Sequence, residues 1–552
     1  MTNRFSYVTS ISCEDIFTDE VKELLIHLHD KFLSELDEIR KIRIENQALA
    51  RSGKKLGHLE KSEANGEWSV EDLPAELRVP GIEISGPAGL TSMLINALNP
   101  GPNGFRAEGD LDDDEDAAGH TLEDTINATR NRMNATLGKL EYKNPDTGKE
   151  YKLQPGKIPF FMHRERGLHL DEPQVCVDGR PISATILGTT LTLLFGGRAQ
   201  HKKGESVYFY IPKTESKREA KFYKNLFSEI RSSVKDLRDI NIKAIILIES
   251  LPAVYQMEEM LFALGEYAAG LNAARWDLKA SILEYVLHDE NYVWPDRFDV
   301  TIQNTEFMSN IFRRLVAVCL KHNAVPIGGM ATALPSKDQE VNDEAAKSIK
   351  SDKEWEAKQG FVRAWVAHIY HMDSAAEPFK KLSGSDWKPS EEMKIPENYP
   401  VIIDNPSGKL TREGTRQNVR TLIEYLEGWL NGRGAKGIDR LSGKPGKRPA
   451  LMEDLATARI STAQIAQRII HKSIAEDTEE AHSFELVKEI ITGETKDIIA
   501  SIGNNNEIVN RYEKSAKIAL RWIKNYTDYD FRSLGTYTRN DLEQISSEED
   551  AF

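Results

Sequence analysis

The chain has 552 residues, 40% of them hydrophobic and 29% charged, which gives ample material for a soluble globular core and leaves out disordered classes. Lys and Arg number 72 against 87 Asp and Glu, so the net charge of −15 argues against a surface built for nucleic acid or anionic lipid. Three scattered cysteines, Cys13, Cys176 and Cys319, offer no CxxC pair and no disulfide framework, as in a reducing compartment.

At roughly 150 residues per domain the length suggests three or four domains, or one large barrel with additions. The MTNRFSYVTSISCEDIF start shows no signal-peptide pattern, and the longest apolar stretch, 184–195, is too short to cross a bilayer. The SSEEDAF ending has no peroxisomal tripeptide, and the expectation is a cytoplasmic protein with no membrane partner. Apolar residues at three- and four-residue spacing, from Val21 through Leu25, Leu28 and Phe32 to Leu36, predict a helix within 14–56. Glycines and prolines over 52–80 mark a connector. The acidic run 110–116 reads as a solvated loop.

Short β-rich runs at 157–162, 244–248, 271–276 and 324–327 alternate with amphipathic stretches such as 217–239 and 252–269. Repeated β-then-α units imply a parallel sheet with crossover helices. No Gly-rich dinucleotide fingerprint follows any of the runs, so a closed barrel is preferred to an open sheet. A second connector spans 379–406. Helices are predicted at 414–430, 456–471, 483–492 and 506–526, with a Gly-, Lys- and Arg-rich loop at 431–449.

AIILIES (244–250) describes a buried strand that delivers Glu249 at its C-terminal end, where βα-barrels keep their reactive groups. The alternative is an acid that begins a loop or caps the next helix. The next run ends in Asp277, one βα unit later, so both carboxylates would face one mouth. Such a pair, with no HxH or HExxH nearby, suits a hard cation such as Mg²⁺. Arg164, after the apolar run 158–162, is placed to meet negative charge that develops there, or else to pair with a rim acid. Arg166, His163 and His169 read as structural partners of nearby acids. Gly328 and Gly329 permit close backbone approach by a ligand, or make an ordinary turn. Asp454 reads as a helix-start acid.

Taken together and in order, these segments resemble the A-type malate synthases. RERGLH (164–169) is similar to the family's RxRGxH, LIESLPA (247–253) to LIExxPA and GLNAARWDL (270–278) to GLNxGxWDY. GGMATALP (328–335), WVAH (365–368) and MEDLATARIS (452–461) match three further family segments. The resemblance implies an α/β protein: a TIM (β/α)8 barrel with an N-terminal helical clasp and a C-terminal helical domain over the mouth. The expected division is 1–80 for clasp and connector, 81–378 for the barrel, 379–405 for a connector and 406–552 for the C-terminal domain. It further implies condensation of acetyl-CoA with glyoxylate to malate and CoA, as in the glyoxylate cycle. Glu249 and Asp277 would bind Mg²⁺, Arg164 would be the active-site cation and Asp454 the catalytic base. Gly328, Gly329, Trp276, Trp365 and His368 would lie toward substrate or CoA.

Three segments depart from the family. Its ADFEDS is replaced near 107–112, which leaves Glu108 and Asp110 as the counterparts of its acids. The second glycine of the signature is Ala274, and the segment around WVAH is altered on the CoA side. The other readings are a related carbon–carbon synthase or lyase acting on another acyl-CoA and 2-oxo acid, and a family member without turnover that serves as a binding or assembly partner.

Overall fold

The computed structural model describes residues 4–302, 304–439, 449–503, 505–531, 536–537 and 539–547. Eight strands close into one parallel barrel: β1 (Gly81–Pro87), β2 (Gly109–Asp113), β3 (Phe160–Arg164), β4 (Val207–Ile211), β5 (Ile242–Ile248), β6 (Ala268–Ala273), β7 (Val325–Ala331) and β8 (Arg363–Val366). Each pairs with its neighbours in sequence, and β8 returns to β1 through Arg363 opposite Gly81. The expected (β/α)8 barrel is therefore present. Inside it, Leu111, Met162, Tyr210, Leu247, Ile327 and Trp365 fill the lumen as a packed core. β5 is buried at every position, which is why 244–248 reads as an unbroken apolar run.

The helix α1 (Asp19–Arg51) starts at Thr18, whose side chain accepts from the Val21 N–H, and it stops at Ser52 before Gly53, whose φ is +92°. Its buried stripe of Leu25, Leu28, Phe32 and Leu36 lies against the barrel's outer helices, with Phe32 edge-on to Phe222 at 5.2 Å. The strand Phe5–Tyr7 adds antiparallel to Asp171–Val177.

The acidic run at 110–116 is not a solvated loop. Every acid in it is at most 4% exposed, because β2 is made of it and the mouth begins only beyond Asp113. The pleat sends Leu111 into the lumen and Asp112 toward the helix α2 (Leu122–Thr136), where Arg132 meets it at 2.5 Å and meets Glu165 at 2.6 Å. A buried carboxylate is tolerable only with such a partner, and deleting one member of a buried pair costs about 3–5 kcal/mol.

Two helices supply the mouth from the barrel side: α3 (Arg275–Val286) after β6 and α4 (Gln339–Gln359) after β7. The C-terminal region is a helical layer of α5 (Arg412–Leu430), α6 (Leu455–Ile470), α7 (Phe484–Ile502) and α8 (Asn506–Thr527). The expected loop at 431–449 holds a strand, Lys436–Ile438, that pairs with Leu451–Glu453; residues 440–448 lie outside the described residues, as do 548–552 of the SSEEDAF segment. Main-chain bonds stitch this layer to the barrel: Leu334 N–H to the Ala450 carbonyl and Met452 N–H to the Thr332 carbonyl, both 2.8 Å. Beside them Arg297 forks onto both oxygens of Glu453 at 3.0 Å, fully buried. Among the described residues no helix is long and apolar enough to cross a membrane.

Candidate active site at the barrel mouth

Three carboxylates converge at the C-terminal ends of the strands. Glu249 follows β5, Asp277 occupies the first turn of α3 and Asp116 follows β2; one oxygen from each lies within 4.8 Å of the others, and all three are buried. Asp277 was expected to end a strand. The strand stops at Ala273 instead, and the helix begins early enough to present Asp277 from its N-terminal turn.

Lys213, in the turn after β4, sends its ammonium into the middle of this group. Its Nζ lies 2.5 Å from Asp277, 2.9 Å from Asp116, 3.3 Å from Glu115 and 3.6 Å from Glu249, while its backbone N–H donates to Glu249. Burial pushes Glu249 up to about 7, with Asp277 adding to the shift and Lys213 opposing it. Burial also opposes charge on Asp116, but Lys213 and Arg164 outweigh it and hold that carboxyl below its ordinary range.

Arg164 ends β3 and forks onto Asp113 at 2.7 and 2.6 Å. Its remaining nitrogen points to Asp116 at 3.5 Å and Glu115 at 3.7 Å, and the guanidinium stacks over Trp365 at 5.6 Å. Trp365 in turn donates to Glu83 at 3.1 Å, deep in the lumen, so it supports Arg164 from below.

Asp454 arrives from the C-terminal layer as the N-cap of α6, its Oδ1 accepting from the Thr457 N–H at 3.3 Å. Burial, with the charges of Asp116 and Asp277 added, pushes its carboxyl up to about 8. The same helix carries Arg459, which reaches Asp277 at 3.1 Å and clasps Glu284. The four residues read as central from the sequence, Arg164, Glu249, Asp277 and Asp454, therefore share one mouth.

Other expectations fare differently. Glu108 sits before β2, at the opposite end of the barrel, where it accepts from the Ile82 N–H and meets Lys380 at 2.5 Å. Asp110 lies in the barrel wall with neither oxygen hydrogen-bonded, and burial raises its carboxyl well above the ordinary value. Neither reaches the mouth; the acids that do, beyond the end of β2, are Glu115 and Asp116. Gly328 and Gly329 do allow close approach, but by protein: a Cβ would meet Glu356 at 2.4 Å and Arg275 at 2.6 Å respectively. Trp276 is half-buried under Lys279 and Arg297, which ties it to Glu453. His368 follows β8 and accepts from the Tyr370 N–H, capping the next turn. Ala274 has φ −89° and ψ 101°, a backbone an alanine adopts without strain. Arg166 pairs with Glu172 and His163 with Asp112, as structural partners.

Sequence reasoning missed Lys213, Asp116 and Arg459. The first had a visible signal, the aromatic strand VYFYI followed directly by Pro212 and Lys213.

Residues 160–398 match the family model described as "Malate synthase, TIM barrel domain", and residues 409–539 the model described as "Malate synthase, C-terminal". A protein named malate synthase A from Escherichia coli (strain K12) is 32% identical over 530 residues, 95% of each chain. One named malate synthase from Myxococcus xanthus (strain DK1622) is 35% identical over 419 residues, 76% of this chain and 74% of that one.

Proposed function

The chain belongs to the malate synthase family, and from that premise we propose that it condenses acetyl-CoA with glyoxylate and hydrolyses the product to malate and CoA, with Mg²⁺ at Asp116, Glu249 and Asp277. The observation that carries the reading is the arrival of Asp454, from a separate helical layer, beside an all-carboxylate cluster and Arg164. An oxygen-only donor set of three acids fits a hard cation better than zinc or a soft metal, and the Lys213 ammonium, which lies among the three carboxylates, would give way to it. A divalent ion held there would supply a Lewis acid that makes the aldehyde of a 2-oxo acid more electrophilic.

The chain's own groups account for the rest. Asp454, with its carboxyl raised by burial, is matched to taking a weakly acidic methyl proton from the acetyl thioester. Arg164 has one nitrogen not committed to Asp113, and that edge faces the mouth where an enolate oxygen would gather charge. Lys213 and Arg459 balance the carboxylates, so that four acids remain together without expelling one another. The C-terminal layer excludes water from the proton transfer.

Two free cysteines, Cys13 and Cys319, are buried, and a cytosolic setting accords with thiols left unpaired. The test is release of free CoA thiol by the purified protein with Mg²⁺, glyoxylate and acetyl-CoA. Release is expected only when all three are present. Turnover confined to a different acyl-CoA or 2-oxo acid would replace the substrate pair while leaving the chemistry. Absence of turnover with every CoA ester, together with no Mg²⁺ binding by calorimetry, would overturn the enzymatic reading.

A further inference from the structure

Lys213 holds φ at +52°, a left-handed conformation that residues with a long side chain rarely adopt. Such a conformation persists where its surroundings over-determine it. Three attachments do so here. The N–H is given to Glu249, and the ammonium lies between Asp277 and Asp116. The carbonyl accepts from Arg43 at 2.6 Å, and Arg43 belongs to α1, outside both the barrel and the C-terminal layer.

Arg43 is itself fixed. It forks onto Glu219 at 2.9 and 2.7 Å, and its side chain is 13% exposed. Glu219 also accepts from the N–H of Glu215 at 2.8 Å, two residues beyond Lys213. The turn that carries Lys213 is thus held from behind by one planar, charge-assisted pair, a geometry that a lysine in place of Arg43 would reproduce only in part.

We propose that Arg43 is a positioning residue for the cation site: the N-terminal helix sets the Lys213 turn, and through the Lys213 N–H it sets the orientation of Glu249. This rests on Asp116, Glu249 and Asp277 being that cation site. Arg40, one turn earlier on α1, provides the contrast. It ties the same helix to the segment that follows β3, through Asp171 at 2.8 Å and the Leu168 carbonyl at 2.8 Å, with no bond to the Lys213 turn.

The experiment is titration of the full-length, substrate-free protein with Mg²⁺ by calorimetry, using Arg43→Gln, Arg43→Lys and Arg40→Gln beside the wild type, with Tm recorded for each. Arg43→Gln is expected to raise the Mg²⁺ Kd at least 10-fold, Arg43→Lys to raise it about 3-fold and Arg40→Gln to leave it unchanged, although both glutamine variants lower Tm. Equal Kd values for Arg43→Gln and Arg40→Gln would reduce Arg43 to a structural tie and overturn the proposal. Should Arg43→Gln not fold, Arg43→Lys decides: a Kd equal to that of Arg40→Gln overturns it, and a weaker one supports it. A wild type that binds no Mg²⁺ would instead remove the cation-site reading, a separate failure.

Discussion

Asp454→Asn should lower kcat about 1,000-fold, with Mg²⁺ affinity changed by less than threefold, because the change removes a proton acceptor and no ligand. Asparagine keeps the oxygen that caps α6 through the Thr457 N–H, so the fold should survive. Thiol release measured across pH adds a second signature. A base works only when deprotonated, and burial with the charges of Asp116 and Asp277 favours the protonated form of Asp454. Activity should therefore rise with pH, along a limb well above the ordinary carboxylate range and no higher than about 8. A bound divalent cation favours the carboxylate, so saturating Mg²⁺ should move the limb down. Retention of more than a tenth of kcat in Asp454→Asn, or an unchanged limb, would assign the proton to another group.

The second large effect is expected from Asp277→Asn. This carboxylate is shared by Lys213, Arg459 and the cation site, so neutralising it withdraws charge from all three. Mg²⁺ affinity should fall at least about 100-fold, beyond the range seen when only an outer partner of a metal ligand is lost. Isothermal titration of substrate-free protein reads this directly. Arg459 would lose one partner and keep Glu284, so the helical layer should stay folded. Binding within threefold of wild type would show that the cation sits elsewhere.

Where the sequence was legible, local chemistry and final environment agree. β5 from Ala244 onward and β7 are apolar because they are buried on both faces, and α1 and α8 show stripes because each buries one side. β2 defeated that logic: a strand spelled GDLDD looks like a solvated loop, and its burial depends on Arg132 from α2 meeting Asp112 and Arg164 from β3 meeting Asp113. β8 has four residues, too few to show a period. The same distinction divides the site. Arg164 and Glu249 follow apolar runs, so each is visible as a polar group where a strand finishes; Asp277 lies past the end of its strand, in the first turn of α3. Asp454 looked like an ordinary helix cap, and it is one; the role proposed for it draws on the charges of Asp116 and Asp277, far away in sequence. Resemblance to a family found it where periodicity did not. Asp116 was hidden among identical neighbours, and Arg459 needed the fold to bring α6 over α3.

Asp454 and Arg459 ride on one helix, so under the proposed function the base and the grip on Asp277 belong to one rigid element. A thioester meeting the barrel without that helix in place would find neither the group that activates it nor the arginine that grips Asp277. Under the proposed function, a thioester would therefore be activated only where the seat for its reaction partner is complete.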